Sequence, residues 1–161
     1  MSRIPALGPR GEGWVVLQVV LFGLIGIAGF MVSSPVPDSW TSVAAVAGTA
    51  LLLAGAALGL AGISELQSGA ALTAVPRPRD ASRLVDTGAY RLVRHPIYGA
   101  LMLGSVGWAL LRGSPPALLA SVALLVVLDL KRRREEIWLV ERYPDYEAYR
   151  TRTRRFIPWI W

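Results

Sequence analysis

The 161-residue chain has no cysteine and a single histidine, His95. The first absence excludes thiolate catalysis, disulfide stapling and Cys-based zinc sites, and no metal site is expected. Charge is also missing over long stretches. Residues 13–64 carry only Asp38 and residues 98–128 carry only Arg112, so 83 positions hold two of the 28 charged residues. A soluble domain needs a wet face on every amphipathic element. This distribution therefore excludes a soluble globule, and 53% apolar residues exclude a disordered tail.

What is present is a set of apolar blocks. A membrane-spanning helix needs about 20 mostly apolar residues. Residues 14–32 supply one such block, interrupted only by the neutral Gln18, and residues 43–63 supply a second without any charge. Two shorter blocks, 98–111 and 116–130, flank the turn Arg112-Gly-Ser-Pro-Pro116 and read as a tight hairpin, shorter or tilted. The expectation is an all-α integral membrane helical bundle of four transmembrane helices in one domain. Helices 1 and 2 occupy residues 1–63, a cytoplasmic loop 64–97, the hairpin 98–130 and a cytoplasmic helical tail 131–161. The first block exceeds a signal-peptide core and is expected to be a retained anchor. Gly55 and Gly59 make a small-xxx-small spacing, expected to seat the second helix on the first.

Basic residues set orientation. Sixteen of the 17 Lys and Arg fall in the N-terminal segment, the long loop and the tail, the exception being Arg112. Both termini are expected in the cytoplasm, with the protein in the inner or plasma membrane. The net charge of +6 is absorbed by this asymmetry and by anionic headgroups, which leaves no case for nucleic acid. Trp138, Trp159 and Trp161 suit the lipid–water interface.

The fourth helix has no breaker from Leu130 until Pro144, so it should leave the membrane as a charged extension. Helical spacing puts Lys131, Glu135 and Trp138 on one face, and Arg133, Glu136 and Val140 on the neighbouring row. Pro96 suits a first helical turn, which puts His95 at a helix mouth whose free N–H groups favour an anion. Arg94 adds a fork for a carboxylate, and Tyr90 and Tyr98 add aromatic faces.

The ordered run Leu84-Val-Asp-Thr-Gly-Ala-Tyr90-Arg-Leu-Val-Arg94-His95-Pro96-Ile97-Tyr98 is followed by a short hairpin. Arg134-Glu135-Glu136 and Glu141-Arg-Tyr-Pro-Asp-Tyr146-Glu-Ala-Tyr149 come next. Together these resemble the isoprenylcysteine carboxyl methyltransferase family, to which phospholipid N-methyltransferases are related. The resemblance spans residues 64–161; the first two helices match in hydropathy alone. It implies a membrane enzyme using S-adenosyl-L-methionine, with cofactor contacts at Leu84, Val85, Tyr90, His95, Pro96, Ile97, Tyr98 and Glu135. It further implies substrate contacts at Lys131, where relatives carry arginine, and at Arg134 beside Glu135. Lysine keeps the charge and loses the planar fork. The glycine that relatives carry two residues after the tyrosine is here Gly99, one residue early.

A carboxylate acceptor needs no general base. An amine acceptor, as in a phospholipid N-methyltransferase, needs one, and His95 or Glu136 are the candidates. No G-x-G-x-x-G follows a predicted strand, which excludes a soluble Rossmann-type methyltransferase. A small transporter or structural membrane subunit is the reading from another class. It lacks a carboxylate in the first three helices and leaves the loop and tail motifs without a role.

Overall fold

The computed structural model describes residues 4–31, 38–69, 71–78 and 82–160. Arg3, Arg79, Trp161 and residues 33–37 of the stretch 33–42, which carries no Lys or Arg, lie outside them. Among the described residues the chain is helical: α1 (Glu12–Met31), α2 (Asp38–Ser68), a 3₁₀ turn (Gly88–Arg91), α3 (Pro96–Leu111), α4 (Pro115–Arg142) and α5 (Tyr146–Arg152). Only α1 and α2 are both long enough and apolar enough to cross a membrane. The 16 residues of α3 rise about 24 Å, short of a hydrocarbon core of about 30 Å. The α4 helix is long, but its second half is charged from Asp129 onward.

The bundle is apolar outside. Val16, Val19, Ile27 and Phe30 of α1, Val46, Leu53 and Leu60 of α2, and Leu119, Val122 and Val126 of α4 are all exposed. Such a continuous apolar exterior marks a membrane-associated protein. The interior packs Ile25, Met102, Leu124 and Leu128 around Phe156.

The first two helices are not each other's main partners: α2 packs chiefly on α3. The glycine stripe of α2 faces α3, not α1 as its spacing suggested. A Cβ at Gly48 would lie 2.7 Å from the Gly107 carbonyl oxygen, and one at Gly55 would lie 2.9 Å from that of Ala100. Backbone-to-backbone contact of this kind tolerates only the smallest residues. The α1 helix packs chiefly on α4. Arg112, the one basic residue of the hairpin, closes this side. Its Nε donates to the Gly29 carbonyl across 2.9 Å, and its guanidinium lies over the Phe30 and Trp108 rings. It thus serves an orphan carbonyl at the α1 C-terminus.

The α4 helix starts at Ser114, whose hydroxyl caps Ala117 N–H, followed by Pro115 in the first turn. It then runs unbroken to Arg142, as its sequence predicts. The tail turns back past α5 and crosses the start of α3. Val93 and Arg154 form an isolated parallel bridge, with Arg94 N–H donating to the Arg154 carbonyl and Arg154 N–H to that of Leu92. Gly99 permits this crossing, because a Cβ there would collide with the Phe156 carbonyl oxygen. Its role is tail docking, and Ala100 packs toward α2.

Candidate active site

Where α1–α4 meet the loop and tail there is a cavity of about 580 Å³. That lies within the roughly 300–1,000 Å³ usual for small-molecule sites. Seven of the eight residues expected around a cofactor line it: Leu84, Val85, Tyr90, His95, Ile97, Tyr98 and Glu135. Pro96 does not; it is buried against the Gly62 position of α2. Lys131 lines the cavity, whereas Arg134 lies apart from it, its guanidinium 4.3 Å from the centroid of the Trp138 ring. That contact, with Trp138 half-buried and packed toward Gly11, turns the Trp138 ring to protein.

Glu135 and Glu136 are adjacent in sequence but point to different surroundings. The Glu135 carboxylate accepts from the Tyr98 hydroxyl across 2.6 Å and lies 3.7 Å from His95 Nδ1. It remains on the cavity wall. Glu136 is sealed behind it. One oxygen accepts from Arg94 Nε at 3.0 Å and lies 3.2 Å from His95 Nε2, and the other accepts from Arg132 at 3.0 Å. A carboxylate only accepts, so His95 Nε2 carries the proton. Burial pushes the Glu136 pKa up. The hydrogen bonds from His95 and Arg94 and the charge of Arg132 outweigh it and hold the pKa well below the usual carboxylate range. A carboxylate so held is a poor proton acceptor, which weakens Glu136 as a general base.

Two other expectations change at the mouth of α3. His95 N–H is taken by the Arg155 carbonyl, and the Phe156 carbonyl lies against the first turn. The tail covers the helix mouth, so that end is not an open anion site. Arg94 is likewise committed, to Glu136 and to the carbonyls of Arg150 and Thr153. The His95 and Tyr98 rings stack, with centroids 5.3 Å apart.

Two further cations, Arg83 and Lys131, line the cavity, and Lys131 is the buried one. It is only 2% exposed, yet its ammonium donates to two neutral oxygens, Gln18 Oε1 at 2.8 Å and the Ala74 carbonyl at 3.0 Å. It lies 5.0 Å from the Tyr98 ring centroid, and among the described residues no carboxylate forms an ion pair with it. Burial draws its pKa below the ordinary lysine value, and the Glu135 charge opposes that shift.

Gln18, residues 71–74, Tyr143, Tyr146 and Tyr149 line the same cavity without having been singled out as site residues. Gln18 carried a signal, as the lone amide in an apolar block. The tyrosines carried one in the spacing Tyr146-x-x-Tyr149. Tyr149 donates to the Tyr90 carbonyl at 2.7 Å, and the Tyr146 hydroxyl is buried with no partner among the described residues. Burial, reinforced by Glu136 and Glu135, raises the Tyr146 pKa far above the usual phenol value, so it stays neutral.

A family model described as phospholipid methyltransferase matches residues 43–146. The nickel-cobalt-cadmium resistance protein NccN of Alcaligenes xylosoxydans xylosoxydans is 29% identical over 146 residues, which cover 89% of this chain. The chain spans 62% of that relative's length.

Proposed function

The chain belongs to the phospholipid methyltransferase family, and from that premise we propose that it transfers methyl from S-adenosyl-L-methionine to a lipophilic carboxylate at the cytoplasmic face of the membrane. The observation that carries this reading is Lys131: a buried ammonium on the cavity wall with only neutral oxygens bound to it. Burying an ammonium whose hydrogen bonds go only to neutral oxygens is costly, and the Glu135 charge offsets that in part. A carboxylate brought by a ligand removes that cost, and an apolar exterior gives its lipid part a route along the bundle.

The cavity also suits the methyl donor, for its volume fits a nucleoside-sized ligand and its wall combines tyrosine rings with an accessible carboxylate. When bound, S-adenosyl-L-methionine supplies a methyl group already activated on a sulfonium. Glu135, oriented by Tyr98, would accept from its hydroxyl or amino groups. Leu84, Val85 and Ile97 supply apolar wall, and Tyr90 and Tyr98 supply ring faces. Lys131 would hold the acceptor. The protein's contribution is position and exclusion of water, which suffices for in-line transfer to an acceptor that is already an anion.

The family match also favours a second reading, transfer to the amine of a phospholipid, with Lys131 taking the lipid phosphate. In that reading His95 is the remaining base. Four membrane passes with both termini inside the cell complete the proposal, on the strength of the basic-residue asymmetry.

Calorimetry of the detergent-purified protein with S-adenosylhomocysteine tests the donor site. Saturable one-to-one binding is expected; a folded protein that binds none overturns the reading. Radiolabelled methyl appearing in phosphatidylethanolamine, and in no carboxylate lipid, selects the amine acceptor.

A further inference from the structure

Gln18 is the only amide or hydroxyl side chain in the apolar block 14–32. In a lipid-facing helix such a group is spent on a neighbour or on a ligand. Its Oε1 accepts from Lys131 Nζ at 2.8 Å, joining α1 to α4. An ammonium has donors and no acceptor, so the amide oxygen must face it and the amide nitrogen must face away. No partner takes that nitrogen among the described residues. Lys131 has three donors, of which Gln18 and the Ala74 carbonyl use two. Both side chains line the cavity. One hydrogen bond thus links two groups, each with a donor left over, at a buried ammonium that no carboxylate touches among the described residues.

We propose that Gln18 and Lys131 form a two-donor carboxylate subsite at the α1–α4 seam. Gln18 orients the ammonium and donates to the same carboxylate through its amide nitrogen. The inference rests on the methyl-transfer reading for its biological role, but the subsite is defined by the pair alone. The carboxylate can come from a lipophilic acceptor or from the amino-acid end of the methyl donor.

The test uses the full chain in detergent micelles, with palmitate and methyl palmitate competing against a fluorescent fatty acid. In parallel it uses S-adenosylhomocysteine and 5′-methylthioadenosine, which lacks the carboxylate. The wild type is expected to prefer palmitate over its ester at least tenfold, and Gln18→Met to reduce that preference to about twofold. Gln18→Glu keeps the link to α4 as an ion pair, so it should raise the melting temperature while losing palmitate binding. That loss follows from the new carboxylate taking Lys131, so the amide nitrogen itself is judged by Gln18→Met, where a merely structural hydrogen bond would leave the palmitate preference intact. Should the substitutions instead narrow the gap between the two nucleosides, the same subsite takes the donor's carboxylate. Carboxylate preferences that are absent from the wild type, or that survive both Gln18 variants, overturn the subsite. Failure of every nucleoside to bind, with the palmitate preference intact, sinks methyl transfer and leaves the subsite standing.

Discussion

Arg94 and Glu136 lie 42 residues apart in the chain and meet in a buried ion pair, Nε to Oε1 3.0 Å. The pair joins the loop to α4, and Arg94 extends it to the tail through the Arg150 and Thr153 carbonyls. Removing one partner of such a pair leaves the other charge buried. Glu136→Ala should therefore cost about 3–5 kcal/mol. Thermal unfolding of the purified protein in detergent would register this as a large drop in Tm.

The neighbour should behave differently. Glu135 is on the cavity wall, and its carboxylate meets Tyr98 rather than a buried cation. Glu135→Gln is expected to weaken S-adenosylhomocysteine binding at least tenfold with little change in Tm. Calorimetry and unfolding on the same preparations separate the two outcomes. If Glu135 and Glu136 variants lost binding and stability in equal measure, the division between wall and anchor would be wrong.

The depressed pKa of Glu136 carries a pH signature. Its folded pKa lies below the unfolded value of about 4.3, so its stabilisation is complete above that value. It is lost as pH falls from there through the folded pKa. A Tm profile should be level from about pH 7 to 5 and then fall, and Glu136→Gln should flatten the fall.

Tyr146 offers a substitution expected to help. Its hydroxyl is buried without a partner, a state that costs about 1–3 kcal/mol. Tyr146→Phe keeps the ring and removes the orphan group, so Tm should stay level or rise. A fall of several degrees would show that the hydroxyl is bonded in the working protein.

Gly99→Ala tests the tail crossing. The added Cβ meets the Phe156 carbonyl oxygen. Limited trypsin digestion should cut at Arg152–Arg155 much faster in this variant, with the α2–α3 seam intact. Orientation is checked by thiol labelling of intact cells. A cysteine replacing Pro37 should label from outside, and one replacing Asp145 should not.

The apolar blocks were legible because a spanning helix writes itself as a long local run, and α1 and α2 did so fully. The α4 extension was legible too, since nothing breaks it before Pro144. Pairing was not legible. Gly55 and Gly59 announce a close approach, but a one-dimensional stripe does not name its partner. In the site, Tyr98, Glu135 and Lys131 share a cavity that their resemblance motifs suggested. Arg94 and His95 misled as an open anion site because the residues that occupy them, Glu136 and the tail carbonyls, are distant in sequence. Lys131 disclosed its partner least of all, because Gln18 lies 113 positions earlier.

The Phe156 anchor bears on the order in which the protein can be built. The segment that fills the centre of the bundle and pins the mouth of α3 follows all four long helices in the chain. Until that segment is in place, the groove for Phe156 stays open and the mouth of α3 lacks the tail carbonyls that cover it. Formation of the helices and closure of the bundle centre are thus separate events, the second waiting on Phe156.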